Sequence, residues 1–301
     1  MAKRRSTAKD AQNYLYNFAA GGVGLLTVFL AVFGMRSKEI AIVCSERYGT
    51  AQQFSLQRTV GVPASAVELQ ARLGGRDWGI IENASIVKTA DGPSPLALQV
   101  NLPKPSDPKT PLGLGFAWLL ADAKPAHSAC LTYQVMAPSD FEYGEGGVLP
   151  GLFGGDTAIA PQRGKDIVKS SFGTHLIWGS DGRFSVRVIT ADEPDNLTFR
   201  PLGERPPTMA VGRWVPIEQE IVLNDEGQSN GLLRIWVDGQ LSYESAKIMW
   251  RKTEAGLFRG ADVRVHFART SLEPSRGPKP SSLLLSPVET RWMEPQPPAV
   301  R

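Results

Sequence analysis

Cysteine is nearly absent, with only Cys44 and Cys130 in 301 residues. Two thiols are too few for a thiolate metal cage. They fit either one disulfide in an oxidising compartment or two buried free thiols. Histidine is scarce too. His127, His175 and His266 show no spacing typical of metal ligands, so no metal or cofactor is expected. Neither charge sign dominates. The 33 Lys and Arg stand against 30 Asp and Glu, interleaved to a net +3, and nothing in that pattern requires nucleic acid. No Gly-x-Ser-x-Gly, phosphate loop or dinucleotide fingerprint stands between a strand and a helix. Past the N-terminal apolar run, long helices are not expected, because 30 glycines and 23 prolines interrupt the chain too often. There is no internal repeat.

What is present begins with Lys3, Arg4, Arg5 and Lys9 in a basic segment, residues 1–16. An uncharged apolar run from Phe18 to Met35 follows, ending at Arg36 and Lys38. Its length of about 18 residues is near the lower limit for a spanning helix. The flanking charges put the N-terminus in the cytoplasm and the rest outside. A cleaved signal peptide competes, but Ala31-Val32-Phe33 sets a bulky residue where a small one is wanted. Residues 17–35 are therefore expected to be an uncleaved signal anchor. The chain would be a single-pass protein of a bacterial inner membrane, its C-terminal domain in the periplasm or outside the cell.

Strand signals dominate after that. Within 36–80, a linker with N-terminal strands, Ile40–Cys44 reads as a strand and Ala64–Leu73 as a short helix. Leu96, Leu98, Val100 and Leu102 alternate with Ala97, Gln99 and Asn101, a strand with one buried face. Further strands are predicted over 129–136, 172–178, 184–190, 214–223, 232–237, 241–250 and 262–270. Asp181-Gly182 and Asp238-Gly239 read as two-residue hairpin turns. Many antiparallel strands without helical pattern predict an all-β jelly-roll or concanavalin-like β-sandwich over 81–293, with a disordered tail at 294–301. Between two strands lies the run 141–156, where six of sixteen residues are glycine. It reads as a shaped loop or bulged strand at a sheet rim.

That run carries a resemblance. Gly146-Gly147-Val148-Leu149-Pro150-Gly151-Leu152-Phe153-Gly154-Gly155 is similar to the Gly-Gly-Lys-Leu-Pro-Gly-Leu segment and following Gly-Gly of the family 14, alginate lyase-type polysaccharide lyases. Leu131–Val135, Trp214–Glu218 and Gly231–Gly239 resemble that family's flanking strands. The resemblance implies a jelly roll, an acidic polysaccharide as partner and β-elimination as the reaction. The family's catalytic positions are not kept. The lysine becomes Val148, the Ser-x-Arg positions become Gly173 and His175, and the Tyr-x-Tyr positions become Arg187 and Ile189.

β-Elimination needs a group to neutralise the uronate carboxylate, a base for the α-proton and an acid for the leaving oxygen. Strand alternation puts Gly173 and His175 on one face of their strand, and Ser185 and Arg187 on one face of the next. His175 is the candidate base, Arg187 the clamp, and Tyr143 (or Tyr133) the acid. Gly147, Val148, Leu149, Pro150, Phe153, Ser185, Arg264 and His266 are candidates for substrate contact. His175 and Arg187 read equally as polar residues on the wet face of a sheet. A non-catalytic glycan binder and a structural envelope protein stand as alternatives to the lyase.

Overall fold

The computed structural model describes residues 42–104, 112–120, 126–155, 171–190, 198–254, 256–268 and 279–293. The expected anchor at 17–35 lies outside them, as does the C-terminal tail. Among the described residues no helix is long and apolar enough to cross a membrane.

In chain order the elements are α1 (Cys44–Arg47), β1 (Thr50–Gln53), β2 (Gln57–Thr59), β3 (Val62–Pro63), α2 (Ala66–Leu73), β4 (Asp77–Trp78) and α3 (Ile80–Asn83). Then come β5 (Ala84–Lys88), β6 (Leu96–Leu102), β7 (Gly113–Leu119), β8 (Ser128–Met136), β9 (Gly147–Leu149), β10 (Gly151–Gly155), β11 (Ser171–Trp178) and β12 (Phe184–Ile189). The last are β13 (Phe199–Pro201), β14 (Trp214–Val222), β15 (Gly231–Val237), β16 (Gln240–Ile248), β17 (Leu257–Phe267), β18 (Ser281–Leu285) and β19 (Glu289–Trp292).

Two antiparallel sheets form from them. One runs β16-β15-β14-β8-β18-β6-β5, with β19 also on β8 and β1 on β19. The other runs β13-β12-β11-β10-β17-β7-β4, with β9 also between β11 and β17. Alternation selects the core. Tyr133, Val135, Ile217, Ile235 and Leu285 of the first sheet share one buried cluster with Leu114, Phe116, Leu152, Leu176, Trp178, Val186 and Val265 of the second. Each such side chain contributes about 1.5–3 kcal/mol relative to exposure.

The strand readings hold closely, with three differences. Ile40–Cys44 is not a strand where it is described: Cys44 opens the four-residue helix α1. The Asp238-Gly239 turn has both residues at positive φ, 56° and 73°, as a type I′ hairpin requires. At Asp181-Gly182 only Gly182 does, and Gly182 N–H donates to Gly179 O at 2.9 Å, so the loop is longer than two residues.

The third difference is the glycine-rich run. It lies inside the second sheet rather than at a rim, because β9 and β10 both pair with β11 and β17. Pro150, which has no N–H, marks the break between them. Its carbonyl accepts from Gln219 Nε2 at 2.7 Å and Tyr133 Oη at 3.2 Å, both reaching across from the other sheet. Thr174 Oγ1 donates to Gln219 Oε1 at 2.9 Å and accepts from Leu152 N at 3.3 Å. Close approach explains Gly151, where a Cβ would stand 1.6 Å from Thr174 O.

Cys44 and Cys130 form a disulfide. It ties α1 to the outward side of β8, where Tyr48 and Trp236 pack with it. Ser45 donates from N and Oγ to Glu218, both at 2.9 Å, and Arg47 pairs with Glu220 at 2.7 Å.

Candidate functional site

The outward face of the second sheet carries most of the candidate residues. Directly opposed residues of paired strands share a face, so the register defines rows across the sheet. One row holds Ala117, Asp262 and Gly151. His175 on β11 opposes Arg187 on β12, which opposes Phe199 on β13. A second row runs Gly113, His266, Val148, Ile177, Ser185 and Pro201. Between them Trp78 opposes Gly115, which opposes Arg264. Missing side chains shape this surface. The Trp78 indole fills the space over Gly115, 2.6 Å from where a Cβ would stand, and meets His266 edge-on at 5.5 Å.

Gly151 opposes Asp262 and abuts the Thr174–His175 backbone on its other side. No side chain intervenes, so His175 on β11 and Asp262 on β17 meet across that strand, Nε2 to Oδ2 at 2.8 Å. Arg264 Nε donates to the same carboxylate at 2.9 Å from Oδ2 and 3.1 Å from Oδ1. Burial is deep: His175 is 3% exposed and Asp262 2%.

These surroundings set the charges. Burial lowers the His175 pKa against the opposing pull of Asp262, with Arg264 and Arg187 adding to the fall. A neutral imidazole facing a carboxylate keeps its proton on Nε2, which leaves Nδ1 as a free base. Burial also drives His266 down to about 4, and its Nδ1 donates to Phe267 O at 2.9 Å. Burial alone would raise Asp262. Arg264 and His175 outweigh that and hold it below the usual carboxylate range.

One consequence is measurable. Both histidines are neutral when folded and bind protons more readily when unfolded. Stability is therefore expected to fall as pH drops from 6.5 towards about 4, the window set by His266. Denaturant midpoints across that range would show it. The slope should be shallower in His266→Gln, and an equal slope would show that His266 does not contribute.

The structure thus brings His175, Arg187, Ser185, Val148, Arg264 and His266 to one face. It does not bring the tyrosines there. Tyr143 Oη donates to Met209 O at 2.7 Å, and its ring lies against Phe141 and over Gly182. Tyr133 is in the core. Leu149 is a core residue, and Gly147 and Pro150 are buried. Phe153 faces outward but is 3% exposed, packed on Ala117. Sequence reasoning missed Asp262, although Asp262-Val263-Arg264-Val265-His266 displays it on the face of the two residues it named. Trp78 lies in a segment without strand periodicity and gave no signal.

Among the described residues the only cluster suited to a metal is Cys44, Cys130 and Glu218, and its cysteines are oxidised to the disulfide.

Comparison with known proteins bears on the fold and the family. No curated protein matches the sequence. The chain is similar in structure to the marine PL-14 alginate lyase from Aplysia kurodai, with TM-score 0.60 and 21% identity, covering 81% of this chain and 99% of that one. It is similar to a mutant of alginate lyase Aly36B in complex with alginate trisaccharide, with TM-score 0.60 and 17% identity over 82% and 100% of the two chains. A third is alginate lyase vAL-1 from Chlorella virus, with TM-score 0.58 and 16% identity over 75% and 97%. These likenesses show the fold. The model of the family described as polysaccharide lyase 14 matches residues 91–271, more than half of the sequence, and the chain belongs to that family.

Proposed function

We propose that this protein cleaves an acidic polysaccharide by β-elimination on the outward face of the second sheet. The observation that carries the reading is the cluster itself. A buried, carboxylate-oriented neutral imidazole stands beside two guanidinium groups, at positions where the resemblance places the family's catalytic strands. Arg187 and Arg264 would neutralise the uronate carboxylate, which acidifies the α-proton. His175 Nδ1 would take that proton. The electron pair forms the carbon–carbon double bond and expels the glycosidic oxygen. The imidazolium, stabilised by Asp262, returns the proton to that oxygen. Asp262 positions the base, as the carboxylate does in a catalytic triad. A structurally similar alginate lyase in complex with alginate trisaccharide makes alginate the first polymer to try.

The depth of His175 favours a second reading, in which the same face binds the glycan without cleaving it. One experiment separates the two. The full chain is incubated with alginate and other polyuronates, and the ultraviolet absorbance of unsaturated ends is followed. Turnover is expected, and His175→Ala should lower kcat by about 10²-fold or more. Undiminished turnover in that variant removes His175 from the mechanism. Polymer retention without new absorbance establishes the binder. The polymer would be met outside the cytoplasm, a location supported by the basic residues before the apolar run and by the Cys44–Cys130 disulfide.

A further inference from the structure

The segment before the family-matched range builds part of the same surface. Residues 91–271 match the family, whereas α2, β4 and the residues joining them lie before that range. Strand β4 is the last strand of the second sheet on its β7 side and has only two residues. Ala117 N–H donates to Arg76 O at 3.0 Å, which extends the β4–β7 pairing by one step. Arg76 therefore shares the face of Trp78 and adjoins the row of Ala117 and Asp262. Beside it lies a cavity of about 220 Å³, lined by Arg72, Arg76, Phe54, Ala117, Trp118 and Leu119. Arg72 is already engaged, donating to Ser55 O at 3.1 Å and Gln57 O at 2.8 Å. Arg76 is exposed, and among the described residues its guanidinium has no hydrogen-bond or ion-pair partner.

We infer that this cavity is an outer subsite for the acidic glycan, with Arg76 binding the carboxylate of a uronate residue distant from the scissile bond. The inference rests on the proposed function. Strands lie about 4.8 Å apart, so the four steps from β4 through β7, β17 and β10 to β11 put Arg76 about 19 Å from His175. A short oligouronate held at His175 does not reach Arg76, whereas a longer one does. Of the pocket's lining, Ala117 and Leu119 lie on the outward side with Arg76, while Phe54 and Trp118 belong to the core beneath it. A guanidinium suits a carboxylate, which it can grip with two hydrogen bonds.

The test is titration of the full chain with alginate oligouronates of increasing length, read by tryptophan fluorescence, in wild type, Arg76→Ala and Arg76→Lys. Arg76→Ala is expected to weaken long oligomers about fivefold to tenfold and to leave trisaccharide binding unchanged, the loss shrinking as salt is raised. Arg76→Lys should recover part of the affinity. Equal affinity of wild type and Arg76→Ala for every length that binds overturns the subsite and leaves the proposed function standing. Failure of wild type to bind any length overturns both.

Discussion

Asp262→Ala is expected to lower stability by about 3–5 kcal/mol and to abolish turnover, while Asp262→Asn should fold with a smaller loss. The carboxylate is the one acceptor that satisfies both His175 and Arg264, and it is 2% exposed. Alanine leaves the Arg264 guanidinium facing a partly buried space without its counter-charge, and leaves His175 Nε2–H unpaired. Asparagine keeps one carbonyl oxygen, so one of the two donors remains satisfied, but it cannot stabilise the imidazolium that the proposed proton abstraction would form. On the proposed mechanism, kcat of Asp262→Asn should fall with little change in KM, because Arg187 and Arg264, the proposed carboxylate clamps, remain. A purely structural role would move stability and leave the turnover of the surviving folded protein unchanged. The pH dependence adds a signature. Asp262 titrates below its ordinary value of 3.8, so its contribution is present above that pH and is lost as pH falls through the lower folded value. Wild type should lose stability in that acid limb, and Asp262→Asn should lack that part of the loss. Equal midpoints for wild type and Asp262→Ala in denaturant would show that the buried triad contributes nothing.

The sheets were legible because their residues obey a simple period. In Phe184-Ser185-Val186-Arg187-Val188 the apolar residues fall inward and the polar ones outward, and the structure places them so. The shared face of Arg264 and His266 was readable for the same reason. The meaning of Gly151 was not. Density of glycine signals close approach, but nothing local says what approaches. Here it is the Thr174 carbonyl and, over the gap, the His175–Asp262 pair, joined by residues 87 apart in sequence. The inward pull on Pro150 was equally hidden, because Gln219 and Tyr133 come from strands of the other sheet. Tyr143 illustrates the converse. A tyrosine in a glycine-rich run invites a catalytic role, yet the left-handed Gly182 lets its ring settle there and Met209 O accepts its hydrogen bond. Leu149 and Phe153 were drawn to the ligand by the motif alone, and burial assigns both to packing.

Reduction of the Cys44–Cys130 disulfide, or its removal in Cys44→Ser/Cys130→Ser, is expected to cost about 4–5 kcal/mol, from the closure entropy of so long a loop. The bridged residues are 86 apart in sequence. That loop takes in α2, β4, β5 and β6, so opening it frees much of the unfolded chain. Polar contacts keep α1 in place when the bridge is gone. Ser45 still holds Glu218, Arg47 still pairs with Glu220 and lies 5.7 Å over the Trp236 ring, and Tyr48 Oη still donates to Glu220 at 2.6 Å. The native structure should therefore persist in water with a lower denaturant midpoint, rather than fray locally. Turnover at low denaturant should not change, since the bridge lies on the outward side of the first sheet and His175 on the outward side of the second. Wild type in reductant and the double variant should converge on one midpoint, and the variant should be indifferent to reductant. An unaltered midpoint in the double variant would mean that Glu218 and Glu220, and not the bridge, fasten the N-terminal segment to β8 and β14.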